Sequence, residues 1–217
     1  MRGPIHGMAA IVSATDPACT SEAVALLRRG ELVCYPTDTV YGIGAAAGNE
    51  AAVRRLYAVK GRAPDKPLPL LIADTADAQR LADVTPGART LMARFWPGAL
   101  TIVLRKTGDF RSLALAGRDT VALRVPDDSL VRALVRRLGE PLTGTSANRA
   151  GAPPPVSASE VALQMGDMVS LIIDGGPCRR RVESTVVDLT QDGPRILREG
   201  PVSKQEIEEA LGRPVGA

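Results

Sequence analysis

Short apolar runs of strand length alternate along this chain with longer segments of helical periodicity. Leu32–Tyr35, Leu68–Ile72, Leu100–Arg105, Val121–Val125, Val169–Ile173 and Thr185–Asp188 are the clearest runs, with shorter ones at Ala10–Ser13 and Arg195–Leu197. Runs of this length bounded by turn residues read as strands buried in a sheet. Helical segments fall between them. Glu22–Arg29 has Thr20 or Ser21 as a cap and Gly30 as a stop, and Asn49 caps a helix running to Lys60 with Val53, Leu56 and Tyr57 on one face. Pro86–Phe95 carries proline at its first position. A further helix turns Leu130, Ala133 and Leu134 inward, and Ser157/Glu160 and Ser203/Glu206 each fit a capping box. Pro36–Gly48 reads as a long loop, and Ala150–Pro155 as a stiff loop rather than a domain boundary. The irregular mixture toward the end favours α/β or α+β with a mixed sheet. The expected organisation is a flexible tail, residues 1–8, followed by one domain, residues 9–217.

Composition removes several functions. With 45% hydrophobic and 24% charged residues, 217 residues suffice for a core. No uncharged stretch reaches the roughly 18 residues of a membrane helix. Three scattered cysteines, Cys19, Cys34 and Cys178, form neither a disulfide framework nor a zinc spacing. The single histidine, His6, rules out a His-based triad or a His-rich metal site. Aromatic residues, at 3%, are too few for a base-stacking platform. Met1–Met8 lacks the apolar region of a secretory signal, so the cytoplasm is the expected compartment.

The candidate chemistry is cationic and hydroxylic. Gly42-Ile43-Gly44 lacks the tight strand-to-helix turn of a dinucleotide fingerprint, and the glycines read as a place where backbone bends or approaches a neighbour. Pro36-Thr37-Asp38-Thr39 follows a buried strand and reads either as turn chemistry or as a strand-end site. Lys60-Gly61-Arg62 and Lys66 place three cations in seven residues of a Gly/Pro-stiffened loop. They fit a helix C-terminus with a solvated loop, and equally a polyanion clamp. Arg124 ends an apolar strand and needs an anionic partner if buried, from the protein or from a ligand. Thr143–Asn148 is a capping turn or a phosphate cradle. Phe95-Trp96 reads as a structural plug, Cys34 as a buried inert thiol, and Arg179–Arg181 as a solvated surface.

Seven strings in this order resemble the YrdC-type L-threonylcarbamoyladenylate synthase family: PTDTVYGIG (36–44), KGRAPDKPL (60–68), FWPGALT (95–101), TVALRVP (120–126), TGTSANRAG (143–151), ESTVVD (183–188) and ILREG (196–200). The resemblance implies a YrdC-like α/β fold, a twisted mixed parallel/antiparallel sheet with flanking helices and a concave, positively charged site. It implies that L-threonine, bicarbonate or CO2, and ATP condense to L-threonylcarbamoyladenylate and pyrophosphate. Downstream transfer proteins would carry the threonylcarbamoyl group to adenosine 37 of tRNA, with weak tRNA binding as a further partner and no membrane. By similarity Lys60 and Arg62 are catalytic and, with Lys66, hold the ATP phosphates. Thr120, Ser146, Asn148 and Arg198 face the nucleotide, and Thr37 or Thr39 with Arg124 and Ser184 form the threonine pocket. Mg2+ is expected on the ATP phosphates, with no protein ligand. Ile43 and Ala150 depart from the usual Leu and Ser, and the chain resembles the family's short form, without the extra C-terminal domain. Two other functions compete: a structured-RNA-binding module without catalysis, and a carbamoyl-adenylate-forming domain.

Overall fold

The Asn49 side chain accepts from the Ala52 amide and starts helix α2 (Glu50–Lys60), which Gly61 ends in the left-handed region at φ 59°. Local signals of this kind fix most of the elements in the computed structural model, which describes residues 8–108 and 110–216. The expected tail falls almost wholly, and His6 wholly, outside the described residues. Helix α1 spans Cys19–Arg28, α3 Thr75–Leu81, α4 Pro86–Phe95, α5 Ser129–Leu138, α6 Ala158–Met165 and α7 Lys204–Leu211. The strands are β1 (Ala10–Ser13), β2 (Val33–Tyr35), β3 (Gly42–Gly44), β4 (Leu70–Leu71), β5 (Leu100–Arg105), β6 (Thr120–Arg124), β7 (Leu142–Thr143), β8 (Thr145–Ser146), β9 (Leu171–Asp174), β10 (Thr185–Asp188) and β11 (Arg195–Arg198).

Two mixed sheets form, in the orders β1-β9-β2-β3-β8 and β11-β10-β5-β6-β4-β7. In the first, β1–β9 and β9–β2 are parallel and β2–β3 and β3–β8 antiparallel. Both faces of its centre are buried. Val33, Tyr35, Leu171 and Ile173 pack toward α1 and α5, while Cys34 and Ile172 join the other core cluster with Leu56 of α2 and Val161 of α6. That is the period-2 division of a strand. It explains why these strands are apolar throughout.

The second sheet is buried on one face. Leu100, Ile102 and Leu104 of β5, Val121 and Leu123 of β6 and Val187 of β10 enter the core. Thr101, Val103, Ala122, Arg124 and Val186 consequently turn to the opposite face. The sheets meet where Thr143 donates its amide to Ala45 O (3.0 Å) and accepts the Ala45 amide on its hydroxyl (2.9 Å). Tyr35 crosses this seam, its hydroxyl donating to Thr143 O at 2.8 Å.

Several expectations are corrected. The loop expected at Pro36–Gly48 contains β3, whose glycines admit the Tyr35 ring: a Cβ on Gly42 would lie 2.6 Å from Tyr35 Cε2. Helix α1 starts earlier than expected. Neither Thr20 nor Ser21 caps it; Asp16 Oδ1 accepts the Ala18 amide and Asp16 O the Cys19 amide. The inner face of α5 is Val131, Leu134, Val135 and Leu138, with Leu130 and Ala133 at its margins. Helix α3 was unanticipated although Asp74 and Asp77 form a capping box. Ser157 caps α6, but Glu160 Oε2 reaches the Val156 amide instead of closing the box. Trp96 is buried with its indole donating to Leu100 O at 2.7 Å, as a plug should be.

A Cβ on Gly44 would lie 2.9 Å from Thr143 O and from Leu142 Cγ, where backbone cannot yield. Gly44→Ala should therefore cost about 1–3 kcal/mol of stability. Gly193→Ala, with open space around it, should stay within about 0.5 kcal/mol. Urea denaturation midpoints of the two variants check the contrast.

Candidate functional site

The exposed face of the second sheet, the ends of β2 and β8 and the loop after α2 enclose a cavity of about 550 Å³, a size suited to a small-molecule ligand. Its floor includes Thr101, Val103, Ala122, Arg124 and Val186, with Leu197 and Arg198 from β11. Five cationic side chains line it, Lys60, Arg62, Lys66, Arg124 and Arg198, against one carboxylate, Glu183.

Helix α2 carries Lys60 to the wall, where it is almost fully buried. Its ammonium donates to Ser146 O (2.5 Å), Asn148 O (2.9 Å) and Asn148 Oδ1 (3.0 Å). An ammonium has three donors, so all are engaged in pinning the Ser146–Asn148 segment. Burial, with the positive charge of Arg62 adding to it, pulls the Lys60 ammonium down to about 8, and Glu183 opposes the fall. Arg62 folds its own loop, donating from Nε to Lys66 O (3.1 Å) and from Nη2 to Pro67 O (2.8 Å). Three of its five N–H groups remain.

Arg198 donates from Nε to Ser184 O (3.0 Å) and from Nη2 to Ser184 Oγ (3.1 Å), and its Nη1 lies 3.1 Å from Glu183 Oε2. Ser184 Oγ also shares a hydrogen bond with Thr101 Oγ1 at 2.8 Å. Ser184 thereby ties the end of β11 to the start of β5.

Arg124 is 6% exposed. Its Nε donates to Gly98 O (2.8 Å), Nη1 to Thr39 Oγ1 (3.0 Å) and Nη2 to Asp38 Oδ1 (2.6 Å). The sequence left open whether its partner is protein or ligand; Asp38 is that carboxylate. Two N–H groups remain, one on each terminal nitrogen.

The hydroxyls beside it have a determined direction. Thr37 Oγ1 donates to Val40 O (2.6 Å), so the 2.9 Å contact between Thr37 and Thr39 must use the Thr39 proton. Thr37 Oγ1 also accepts the Thr39 and Val40 amides. Thr37 is thus occupied by its own turn, whereas Thr39 keeps one lone pair open. Both readings of the Pro36–Thr39 segment hold together, since the turn builds the wall.

Ten of the eleven residues singled out in the sequence line this cavity. Thr120 does not. It shares the strand face of Ala122 and Arg124, but four residues of β6 place it about 13 Å from Arg124, beyond the wall. Thr101 and Glu183 were missed, and Asp38, read only within the Pro36–Thr39 segment, was given no partner. A threonine inside an otherwise apolar strand and a glutamate directly before one were the available signals. Arg179 and Arg180 are exposed but not wholly solvated: Arg179 Nη2 pairs with Asp127 Oδ2 at 2.8 Å, and the Arg180 amide donates to Asp38 O at 3.1 Å. Burial pushes the Cys34 thiol up, consistent with an inert side chain.

Residues 25–200 match the Sua5/YciO/YrdC family model, described as telomere recombination. The chain is 45% identical over 203 residues to a threonylcarbamoyl-AMP synthase of Bacillus subtilis, covering 93% of this chain and 58% of that protein. It is 42% identical to a putative threonylcarbamoyl-AMP synthase of Mycobacterium tuberculosis strain H37Rv, covering 88% of each. The crystal structure of P. abyssi Sua5 complexed with L-threonine superimposes with a TM-score of 0.90 at 39% identity, over 95% of this chain and 62% of that one. The chain thus spans a little over half the length of the B. subtilis relative. On the family model and the relatives together, the chain belongs to the Sua5/YciO/YrdC family.

Proposed function

We propose that this cavity condenses L-threonine, bicarbonate or CO2, and ATP into L-threonylcarbamoyladenylate and pyrophosphate. One observation carries the reading: the unfilled fork of Arg124 and the donors of Arg62, Lys66 and Arg198 open into the same hollow. A cavity built to hold one carboxylate beside a polyanion has that distribution of cations. The names of the relatives and the threonine complex of P. abyssi Sua5 support it.

In this reading the two remaining N–H groups of Arg124 take the substrate carboxylate as a bidentate pair. The open lone pair of Thr39 accepts from the substrate amine or hydroxyl, and Ser184 completes the pocket. Arg62, Lys66 and Arg198 meet the phosphates. Lys60 contributes its charge from behind the Ser146–Asn148 segment, which it holds in place. Thr120, on the same strand face, stands where an extended nucleotide reaches past the wall.

The neutral amine attacks the carbon of CO2, releasing a proton, or of bicarbonate, releasing water, to give a carbamate. A carbamate oxygen then attacks the α-phosphorus and pyrophosphate leaves. The substrate carboxylate, the carbamate and the triphosphate are all anionic, so the protein's part is alignment and charge neutralisation. Mg2+ would come with ATP, held by its phosphate oxygens, and would offset part of their charge. Glu183, the one carboxylate among the lining residues, is already paired with Arg198. Residues 9–217 act in this reading as one YrdC-like domain of the cytoplasm. The unstable adenylate passes to proteins that transfer its threonylcarbamoyl group to tRNA adenosine 37.

Incubation with threonine, bicarbonate and Mg-ATP should yield pyrophosphate and the adenylate mass in equal amounts. Product from carbamoyl phosphate and not from threonine would overturn the reading, as would tRNA binding with no nucleotide affinity. Arg124→Lys keeps the charge but loses the fork. It should raise the KM for threonine about 10- to 100-fold, the value of a lost charge-assisted hydrogen bond, while the KM for ATP changes less than about threefold.

The pH profile follows from Lys60. Its proton leaves as pH rises through about 8, taking a positive charge and a donor from the wall. At saturating threonine, kcat/KM for ATP should fall above that pH. Lys60→Arg, which stays protonated, should lack this limb whatever its absolute rate.

A further inference from the structure

Asp38 is 2% exposed and, unlike its neighbours Thr37 and Thr39, does not line the cavity. Its Oδ1 accepts from Arg124 Nη2 (2.6 Å) and from the Asp127 amide (3.1 Å). Its Oδ2 is buried without a hydrogen-bond partner, with Arg180 Nε 3.9 Å away. An orphaned carboxylate oxygen is costly. The chain retains it in order to keep the other oxygen where it is.

That oxygen is the third of three acceptors that hold the Arg124 guanidinium, and the one on Nη2. Gly98 O holds Nε and Thr39 Oγ1 holds Nη1. Neither of them touches Nη2, the nitrogen that Asp38 Oδ1 engages. Asp38 Oδ1 closes the set, and it is itself fixed by the backbone of Asp127 and by the Arg180 amide on Asp38 O.

We propose that Asp38 is a positioning residue for the substrate carboxylate: it sets the plane of the Arg124 fork and acts on affinity only through that fork. The inference rests on the threonine reading above and deepens it. It differs from simple charge neutralisation in sign. If Asp38 only cancelled the charge of Arg124, removing its charge would strengthen carboxylate binding.

Calorimetric titration of L-threonine and of Mg-ATP into the wild type, Asp38→Ala and Asp38→Asn separates these cases. Asp38→Ala should weaken threonine about tenfold and leave ATP within twofold. Asp38→Asn, which keeps an acceptor at Oδ1 without the charge, should weaken threonine about threefold. If Asp38→Ala does not fold, as circular dichroism would show, the sign of the Asp38→Asn change still decides. Threonine affinity equal to or tighter than wild type in Asp38→Asn overturns the proposal, as does an equal loss for threonine and ATP in either variant. A wild type that does not bind threonine would overturn the substrate reading itself. Binding by the wild type with no change in the variants would remove only the role of Asp38.

Discussion

Cations gathered in one hollow repel one another, and this cavity holds them mainly with backbone carbonyl oxygens. Lys60 donates to the carbonyls of residues 146 and 148, Arg62 to those of 66 and 67, Arg124 to that of 98, and Arg198 to that of 184. A carbonyl satisfies a donor without cancelling its charge. The side chains are therefore rigid and still electropositive, which is the preorganised condition electrostatic catalysis needs. The cost is visible in Lys60, depressed by its burial and by Arg62. Among the described residues carboxylates enter at two points, Glu183 against Arg198 and Asp38 against Arg124, with Arg180 farther off.

This wiring requires the two sheets to stand in a fixed relation. Lys60 leaves a helix packed beneath the first sheet and grips the segment that runs out of β8. Arg124 leaves the second sheet and grips the turn after β2. Tyr35, admitted by the glycines of β3, bonds across the seam to Thr143. The glycines are thus part of the site although they contribute no chemistry. Their small size lets the two walls approach closely enough for an ammonium or a guanidinium to bridge them.

Much of the fold could be read from the chain because its signals are local. Pro86 at the first turn of α4, Asn49 at the cap of α2 and the apolar runs of β1, β5 and β10 each act within a few residues. What escaped depended on distant partners. Strand β3 is a Gly-Ile-Gly triplet whose two glycines disfavour a strand; its pairing with β2 and β8 makes it one. The α5 face shifted because it packs on α1, a contact no periodicity count includes. Most of the lining residues were legible as cations and hydroxyls at strand ends. Their division of labour was not. The acceptors of Lys60 lie 86 and 88 positions away, and Asp38 lies 86 from Arg124.

The polarity of the two threonine hydroxyls has its own outcome. Because every proton in the line from Arg124 through Thr39 to Thr37 and Val40 O runs in one direction, the Thr39 hydroxyl can receive a hydrogen from a guest but cannot give one. A guest whose second polar group is an oxyanion would be turned away there by electron pairs facing electron pairs. One whose second group brings an N–H or O–H would find an acceptor there.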